Sequence, residues 1–138
     1  MIETHQIELD TGGSDDMLDI TPILQKMVTT SACSDGQVLV FVPGSTAALT
    51  TIEFEPGLQR DFPRCLERMA PREDYYYHNE TWHDGNGHSH IRASLIGPNL
   101  TVPFQNRTLM LGTWQQVVLC EFDVKARKRR LIIQISGE

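Results

Sequence analysis

From residue 100 onward the chain breaks into short apolar runs at 100–104, 109–111, 115–122 and 130–135, separated by turns at Gln105-Asn106, near Gly112 and across a basic stretch at 125–130. Runs of this length, rich in β-branched and apolar residues and bounded by turn residues, predict strands. The first half adds a strand over 2–9, closed by Asp10-Thr11-Gly12-Gly13, and two more at 37–42 and 49–54, with Pro43-Gly44 ending the first of that pair. Two segments carry a helical period. Residues 17–29 place Thr21-Pro22 at a helix start and Ile23, Leu24, Met27 and Val28 on one face. Residues 56–70 turn Leu58, Phe62, Cys65, Leu66 and Met69 inward, with Pro63 bending or tightening the helix. Two main helices and about seven strands make an α+β domain. Its 138 residues suit one domain over 1–138, with no repeat or linker to divide it.

Between the second helix and the late strands lies a polar window, His78-Asn79-Glu80-Thr81-Trp82-His83-Asp84-Gly85-Asn86-Gly87-His88-Ser89-His90, which holds four of the five histidines. Imidazole binds borderline metals and exchanges protons near neutral pH without a large pKa shift. On an extended backbone, His88 and His90 send both rings to one side, where they can share an ion. His78 then supplies a third ligand by chain reversal through Gly85 and Gly87, and His83, Asp84 or Glu53 completes the shell or orients a ring nitrogen. Three protein ligands leave a position open for chemistry. Zn2+ is the favoured cofactor over Mg2+, since nitrogen ligands suit it better, with other divalent transition metals as alternatives. The segment after the window, 90–95, is either one or two helical turns or a strand edge.

Other polar residues join as candidates. Ser45 and Thr46, directly after Gly44, suit an anion through hydroxyls and backbone amides, and equally suit a turn into a strand. Arg92 is a further anion contact. Glu53 and Glu55 flank Phe54 and face one way, where either serves as a base or steadies a histidine, or both are simply solvated. Asp61, next to Arg60 at the start of a helix, reaches toward the same pocket, so the candidate catalytic groups are Glu53, Asp61 and His83. Trp114 reads as core or subunit contact, and Gln115 as a hydrogen-bonding partner for substrate.

Twelve basic against eighteen acidic residues give a net charge of -6, which argues against nucleic acid as the main partner. The basic run Lys125-Ala126-Arg127-Lys128-Arg129-Arg130 is a solvated turn or, less simply, an anion site. Cys33, Cys65 and Cys120 lack disulfide or thiolate-zinc spacing, which suits a reducing compartment. With neither a signal-like N-terminus nor an apolar run of about 18 residues, a cytoplasmic protein without a membrane partner is expected.

The stretch His88-Ser89-His90-Ile91-Arg92-Ala93-Ser94-Leu95-Ile96-Gly97, the run Leu109-Met110-Leu111-Gly112-Thr113-Trp114-Gln115-Gln116, the closing Gly137-Glu138 and Phe41-Val42-Pro43 with Ser45-Thr46-Ala47-Ala48 closely resemble the YjbQ family, also known as UPF0047. The likeness extends over nearly the whole chain. It implies a compact single domain with a mixed β-sheet core and two main helices, assembled as a homotrimer, with a metal-containing site near histidines and acidic residues. It also implies a label given to some members, secondary thiamine-phosphate synthase, for joining a pyrimidine pyrophosphate to a thiazole phosphate. Carried over by residue, His90 and His78 are site positions and Glu53 is the acidic residue after the second strand of the central pair. The chain departs from the family pattern at Gly44 and Arg60, where relatives commonly carry histidine, and His88 stands in as a compensating ligand.

The resulting expectation is a metal-dependent enzyme acting on a small phosphorylated metabolite, with His78, His88 and His90 on the metal and Ser45, Thr46, Arg92 and Gln115 on the substrate. A hydrolase using metal-bound water and a non-catalytic metal-binding trimer are the alternatives.

Overall fold

The computed structural model describes residues 1–138. Its elements are β1 (Ile2–Asp10), β2 (Asp16–Asp19), α1 (Thr21–Thr30), β3 (Gly36–Phe41), β4 (Ala47–Ile52), α2 (Leu58–Met69), α3 (Tyr77–Trp82), α4 (Gly87–Ile96), β5 (Asn99–Gln105), β6 (Thr108–Leu109), β7 (Gln116–Glu121) and β8 (Lys128–Gly137). The α+β class is as expected. Every pairing is antiparallel, so the core is two antiparallel sheets in the orders β1-β8-β3-β5-β6 and β2-β7-β4, not one mixed sheet. Residues 17–19, read as the lead-in to the first helix, instead form part of β2 on the edge of the smaller sheet. The helix itself begins at Thr21, where Pro22 lacks only a donor that has no partner in a first turn.

β7 explains the layering. Its alternate residues Val117 and Leu119 join Leu49, Val38, Val40, Ile133 and Ile135 in the main core between the sheets. Val118 and Cys120 face the other way and pack with Ala48, Leu66, Ala93 and Phe122 beneath α2 and α4. A strand covered on both faces carries apolar residues at every position, which is why 117–120 reads as an unbroken apolar run. Truncating a fully buried Leu119 costs about 2–5 kcal/mol in such a setting.

α2 departs from its expected inward stripe. Leu66 is buried, but Cys65 is exposed and Met69 is 59% exposed. The helix touches the sheet along a narrower line than its apolar residues suggest. α4 docks on β4, where the Leu49 N–H donates to Gly97 O at 3.0 Å. Tight crossing of β3 and β8 depends on two glycines, since a Cβ on Gly36 would lie 2.1 Å from Ser136 O and one on Gly137 would lie 2.0 Å from Asp35 O. No helix is long and apolar enough to cross a membrane.

The small sheet has two ends that matter for function. In register, Ala47 and Asp16 lie level with Glu121, while Ile52 lies level with Gln116. Thr46 and Asp123 therefore project from one end and Glu53 and Gln115 from the other, about 20 Å away along six residues of strand.

Candidate functional site

α3 and α4 fold back on each other through the turn 83–86. His83 takes a left-handed conformation (φ 56) that ends α3, and its N–H donates to Asn79 O at 2.9 Å. Gly85 is also left-handed (φ 67). The Asn79 side chain then accepts the Gly87 N–H at 3.0 Å, and a Cβ on Gly87 would meet Tyr76 Cβ at 2.5 Å, so only glycine lets α4 start this close to the preceding segment. The reversal brings His78 and His90 together, with ring centres 4.3 Å apart and planes tilted by 54°.

His88 does not join them. The expected pairing of His88 and His90 assumed an extended backbone, but both lie on α4, where two residues span about 200° of rotation. His88 is fully buried on the opposite side, near the Tyr76 ring at 6.4 Å, and its Nδ1 has no hydrogen-bond partner. The ligand set of His78, His88 and His90 is thus not assembled. No three side chains drawn from His, Cys, Asp and Glu are grouped within the chain so that they could hold a metal ion.

Around the His78–His90 pair the structure adds residues that the sequence reading passed over. His78 Nε2 lies 3.0 Å from the Asn86 amide and 3.4 Å from Asp84 Oδ1. The far side of the Asn86 amide faces Asp123 Oδ1 at 3.4 Å. Asp123 is 1% exposed and is bonded by Thr46 Oγ1 (3.1 Å), Arg127 Nε and Nη2 (3.0 and 2.7 Å) and its neighbour's N–H (2.8 Å). Burial raises the Asp123 carboxyl, but the bonds from Arg127, the Val124 N–H and Thr46 outweigh it and hold it below the usual carboxylate range. Behind this carboxylate lies a buried pair, Glu121 with Arg129, joined through two nitrogens of the guanidinium. Thr11 donates to Glu121 Oε1 at 2.6 Å, and Arg129 Nη2 reaches Thr46 Oγ1 at 2.8 Å. The network fixes the floor of the site. Burial first, and then the neighbouring His78, push the His90 imidazole below its ordinary value, against the pull of Asp84 and Asp123. His90 is therefore held toward its neutral form.

The other expected residues divide between this site and elsewhere. Ser45 belongs to it, lining a pocket of about 200 Å³ with Gly44, Ala47, His90, Ala93 and Ser94. Thr46 is buried and engaged with Asp123 and Arg129. Arg92 is 1% exposed and donates to Ala70 O (3.1 Å), Asp15 (3.1 Å) and Glu67 (2.6 Å), which ties α4 to α2 and to the turn before β2 and leaves it no open face for an anion. Glu53 and Gln115 lie at the far end of the small sheet, where Gln115 accepts from the Gly112 N–H and donates to Thr51. Asp61 lines a separate polar pocket with Gly57, Arg60 and Arg64, and Glu55 accepts from the Gly57 and Leu58 N–H groups at the start of α2. His83 is exposed at its helix end, and Trp114, expected in a core or contact, is 71% exposed in the single chain. A signal for the missed group was present in the pattern of 121–129. Glu121 and Asp123, then Arg127 and Arg129, repeat at two-residue spacing next to an apolar run, which places opposite charges on one face.

The family model described as "UPF0047 protein YjbQ-like" matches residues 5–138. The chain is 35% identical to a UPF0047 protein of Archaeoglobus fulgidus over 129 residues, covering 94% of this chain and 98% of the relative. It is 32% identical to the UPF0047 protein YugU of Bacillus subtilis, covering 99% and 100%. Among solved structures it is similar to a YbjQ-like protein of unknown function from Sulfolobus solfataricus P2, with a TM-score of 0.89, 28% identity and full coverage of both chains. It is also similar to a protein of the yjbq/upf0047 family from Clostridium acetobutylicum, with a TM-score of 0.85, 36% identity and coverage of 96% and 99%.

Proposed function

The chain belongs to the YjbQ-like UPF0047 family, and for it we propose a metal-assisted enzyme that acts on a small phosphorylated metabolite. The observation that carries this reading is the contact between the His78 and His90 rings. An imidazole must be neutral to bind a metal, and His90 is held toward that form. Two imidazoles on one tetrahedral ion with bonds of about 2.1 Å keep their ring centres about 5 Å apart. The 4.3 Å separation falls short of that by less than about an ångström. Asp84, beside His78 on an exposed turn, supplies the carboxylate, and the donor set of imidazole and carboxylate fits zinc or another borderline divalent ion.

Such an ion, when bound, supplies charge stabilisation to a phosphoryl oxygen. The chain's own groups hold the substrate. Ser45 offers a hydroxyl in the pocket beside His90, whose volume suits a phosphate group better than a whole drug-sized ligand of 300 Å³ or more. Arg127, 46% exposed and bonded to Asp123 through Nε and Nη2, keeps Nη1 for an anion at the rim. Asp123 anchors that guanidinium. The expected assembly is a homotrimer, favoured by the exposed Ile91, Leu95, Met110 and Trp114 and read by light scattering during size exclusion. Three free cysteines suit a reducing, cytoplasmic setting.

The test is elemental analysis of chelator-washed and reconstituted protein beside His90→Ala, followed by separate assays of phosphate and pyrophosphate release from a panel of phosphorylated metabolites. The panel includes the pyrimidine pyrophosphate and thiazole phosphate pair, which separates transfer from hydrolysis. About one ion per chain, lost in the variant, supports the reading. Absence of stoichiometric uptake overturns it and leaves the two histidines as an acid–base pair.

A further inference from the structure

The buried amide of Asn86 lies between two carboxylates and a histidine, and these neighbours decide which way it points. One amide atom is 2.7 Å and 3.2 Å from the two oxygens of Asp84 and 3.0 Å from His78 Nε2. An oxygen in that place would press against a carboxylate, whereas a nitrogen brings two N–H donors to the acceptors waiting there. The other amide atom is 3.4 Å from Asp123 Oδ1, longer than the usual range of about 2.7–3.2 Å. Asp123 already accepts from Thr46, Arg127 and the Val124 N–H, so it has little need of the amide. The nitrogen therefore faces the site, with one N–H on the Asp84 carboxylate and the other on His78 Nε2.

A ring nitrogen that accepts an N–H carries no proton of its own, so the single proton of a neutral His78 ring is on Nδ1. That nitrogen has no partner within the chain. The one buried side-chain nitrogen or oxygen left unpaired is His88 Nδ1, so Nδ1 of the half-buried His78 is open to solvent. The same is true of both ring nitrogens of half-buried His90, whose ring centre is 4.3 Å from that of His78. His90 also borders the pocket that Ser45 lines, which puts the His78 donor next to the place where an anion would rest.

We propose that Asn86 is a positioning residue that clamps Asp84 and fixes His78 as its Nδ1–H tautomer, so that His78 presents a neutral N–H to a substrate oxygen beside His90. A neutral imidazole polarises such an oxygen without giving up its proton. His90, with two unbonded nitrogens, is the member of the pair free to accept a proton. Imidazole in water prefers the proton on Nε2, so the tautomer at His78 runs against the default, and the Asn86 N–H is what reverses it. The assignment concerns the ion-free chain and goes beyond the metal reading, which needs the opposite tautomer once Nδ1 is taken.

The experiment is long-range 1H–15N correlation of the histidine rings in chelator-washed, labelled protein at pH 8, where an ordinary imidazole is neutral. The parent is compared with Asn86→Ser and Asn86→Asp, His78 is identified by the signals lost in His78→Gln, and circular dichroism verifies folding. Serine is favourable before α4, where Asn86 makes no side-chain cap bond, and it is too short to reach Nε2. The parent should show a protonated Nδ1 and an unprotonated Nε2. In Asn86→Ser the tautomer ratio should move about tenfold toward Nε2–H, the equivalent of one hydrogen bond. Asn86→Asp should reverse the tautomer outright, because its carboxylate can only accept. An amide that merely supported the turn would leave the ring proton where it is in both variants, and that result overturns the proposal. So does a protonated Nε2 in the folded parent. Should the added acid of Asn86→Asp prevent folding, Asn86→Ser decides alone. No ion is present in this measurement, so its failure leaves the metal reading standing, and a failure of zinc uptake leaves the tautomer assignment standing.

Discussion

Replacing Arg92 by Met removes three donors from the interior while keeping most of the aliphatic stem. If Arg92 were an anion contact at a site, its loss would affect ligand binding and leave stability within about 0.5 kcal/mol. The structure predicts the reverse. The Ala70 carbonyl loses its Arg92 donor, at about 1–3 kcal/mol where such a group is buried. Two ion pairs are broken, for which the usual 3–5 kcal/mol of a fully buried pair is too large because Asp15 is 35% and Glu67 50% exposed. A total of about 3 kcal/mol follows when these terms are discounted for the water that rehydrates both carboxylates. With a urea dependence of about 2 kcal/mol per molar, the unfolding midpoint should fall by about 1.5 M. The assay is equilibrium unfolding followed by tryptophan fluorescence and far-UV circular dichroism, whose coincidence verifies a two-state transition. Arg130→Met, at an exposed position on β8, is the control and should shift the midpoint by about 0.25 M or less. An Arg92→Met midpoint as close to the parent's as the control's would refute the assignment.

Stability should also fall with acid through His88. Burial first, then Arg92 and Arg72, hold its imidazole below the ordinary value against the pull of Glu67 and Asp15, so the unfolded chain binds the proton first. The contribution is complete above about pH 6.5 and is lost below it, at up to about 1.4 kcal/mol per pH unit, until the folded imidazole also protonates. His90 adds a loss of the same sign. His88→Leu should flatten the dependence below pH 6.5, and an unchanged slope in urea unfolding would count against it. Gly36→Ala and Gly137→Ala each drive a methyl to within 2.1 Å of a carbonyl oxygen on the facing strand. Each should cost about 1–3 kcal/mol or prevent folding, read by thermal unfolding, and a change in Tm below 2 °C would show that the strands part easily. Of the three thiols, Cys65 is exposed, while Cys33 and Cys120 are buried and burial pushes the Cys120 thiol up to about 12. A disulfide reagent at pH 8 should titrate one thiol rapidly and three after denaturation, whereas two fast thiols would contradict the packing around β7.

The fold was legible wherever alternation and turn chemistry agree. The runs at 37–42, 49–54, 100–104, 115–122 and 130–135 match β3, β4, β5, β7 and β8 to within a few residues, because an apolar run bounded by turns has few other uses. β2 was not legible. It has four half-buried residues and precedes a helix start, and its strand character comes from pairing with β7 across a hundred residues of sequence. α3 was hidden for a related reason. It buries no residue, and α4 buries mainly Gly87, His88, Ser89, Arg92 and Ala93, so neither shows an apolar stripe.

That concealment is also what misplaced part of the site. The pair His88-Ser89-His90 gives a same-side chelate only at a period of two residues, and the helix replaces that period by 3.6. One histidine is then committed to packing against Tyr76 and Arg92, and the other is free to meet His78, twelve residues earlier, across a turn that depends on Gly87 and the left-handed His83. Asp123 follows the same logic from the opposite direction. As the second carboxylate at a strand end it looks solvated, until Arg127 is bonded to it from the rim and the Glu121–Arg129 pair is packed behind it. Histidine number drew attention to the window that holds the His78–His90 contact, but which of those histidines meet depends on helix rotation, and their surroundings on a buried carboxylate more than thirty residues away. Two buried acids, Glu121 and Asp123, each with its own arginine partner beside a strand that is otherwise apolar, are therefore as strong a pointer to this network as the four histidines are to their window.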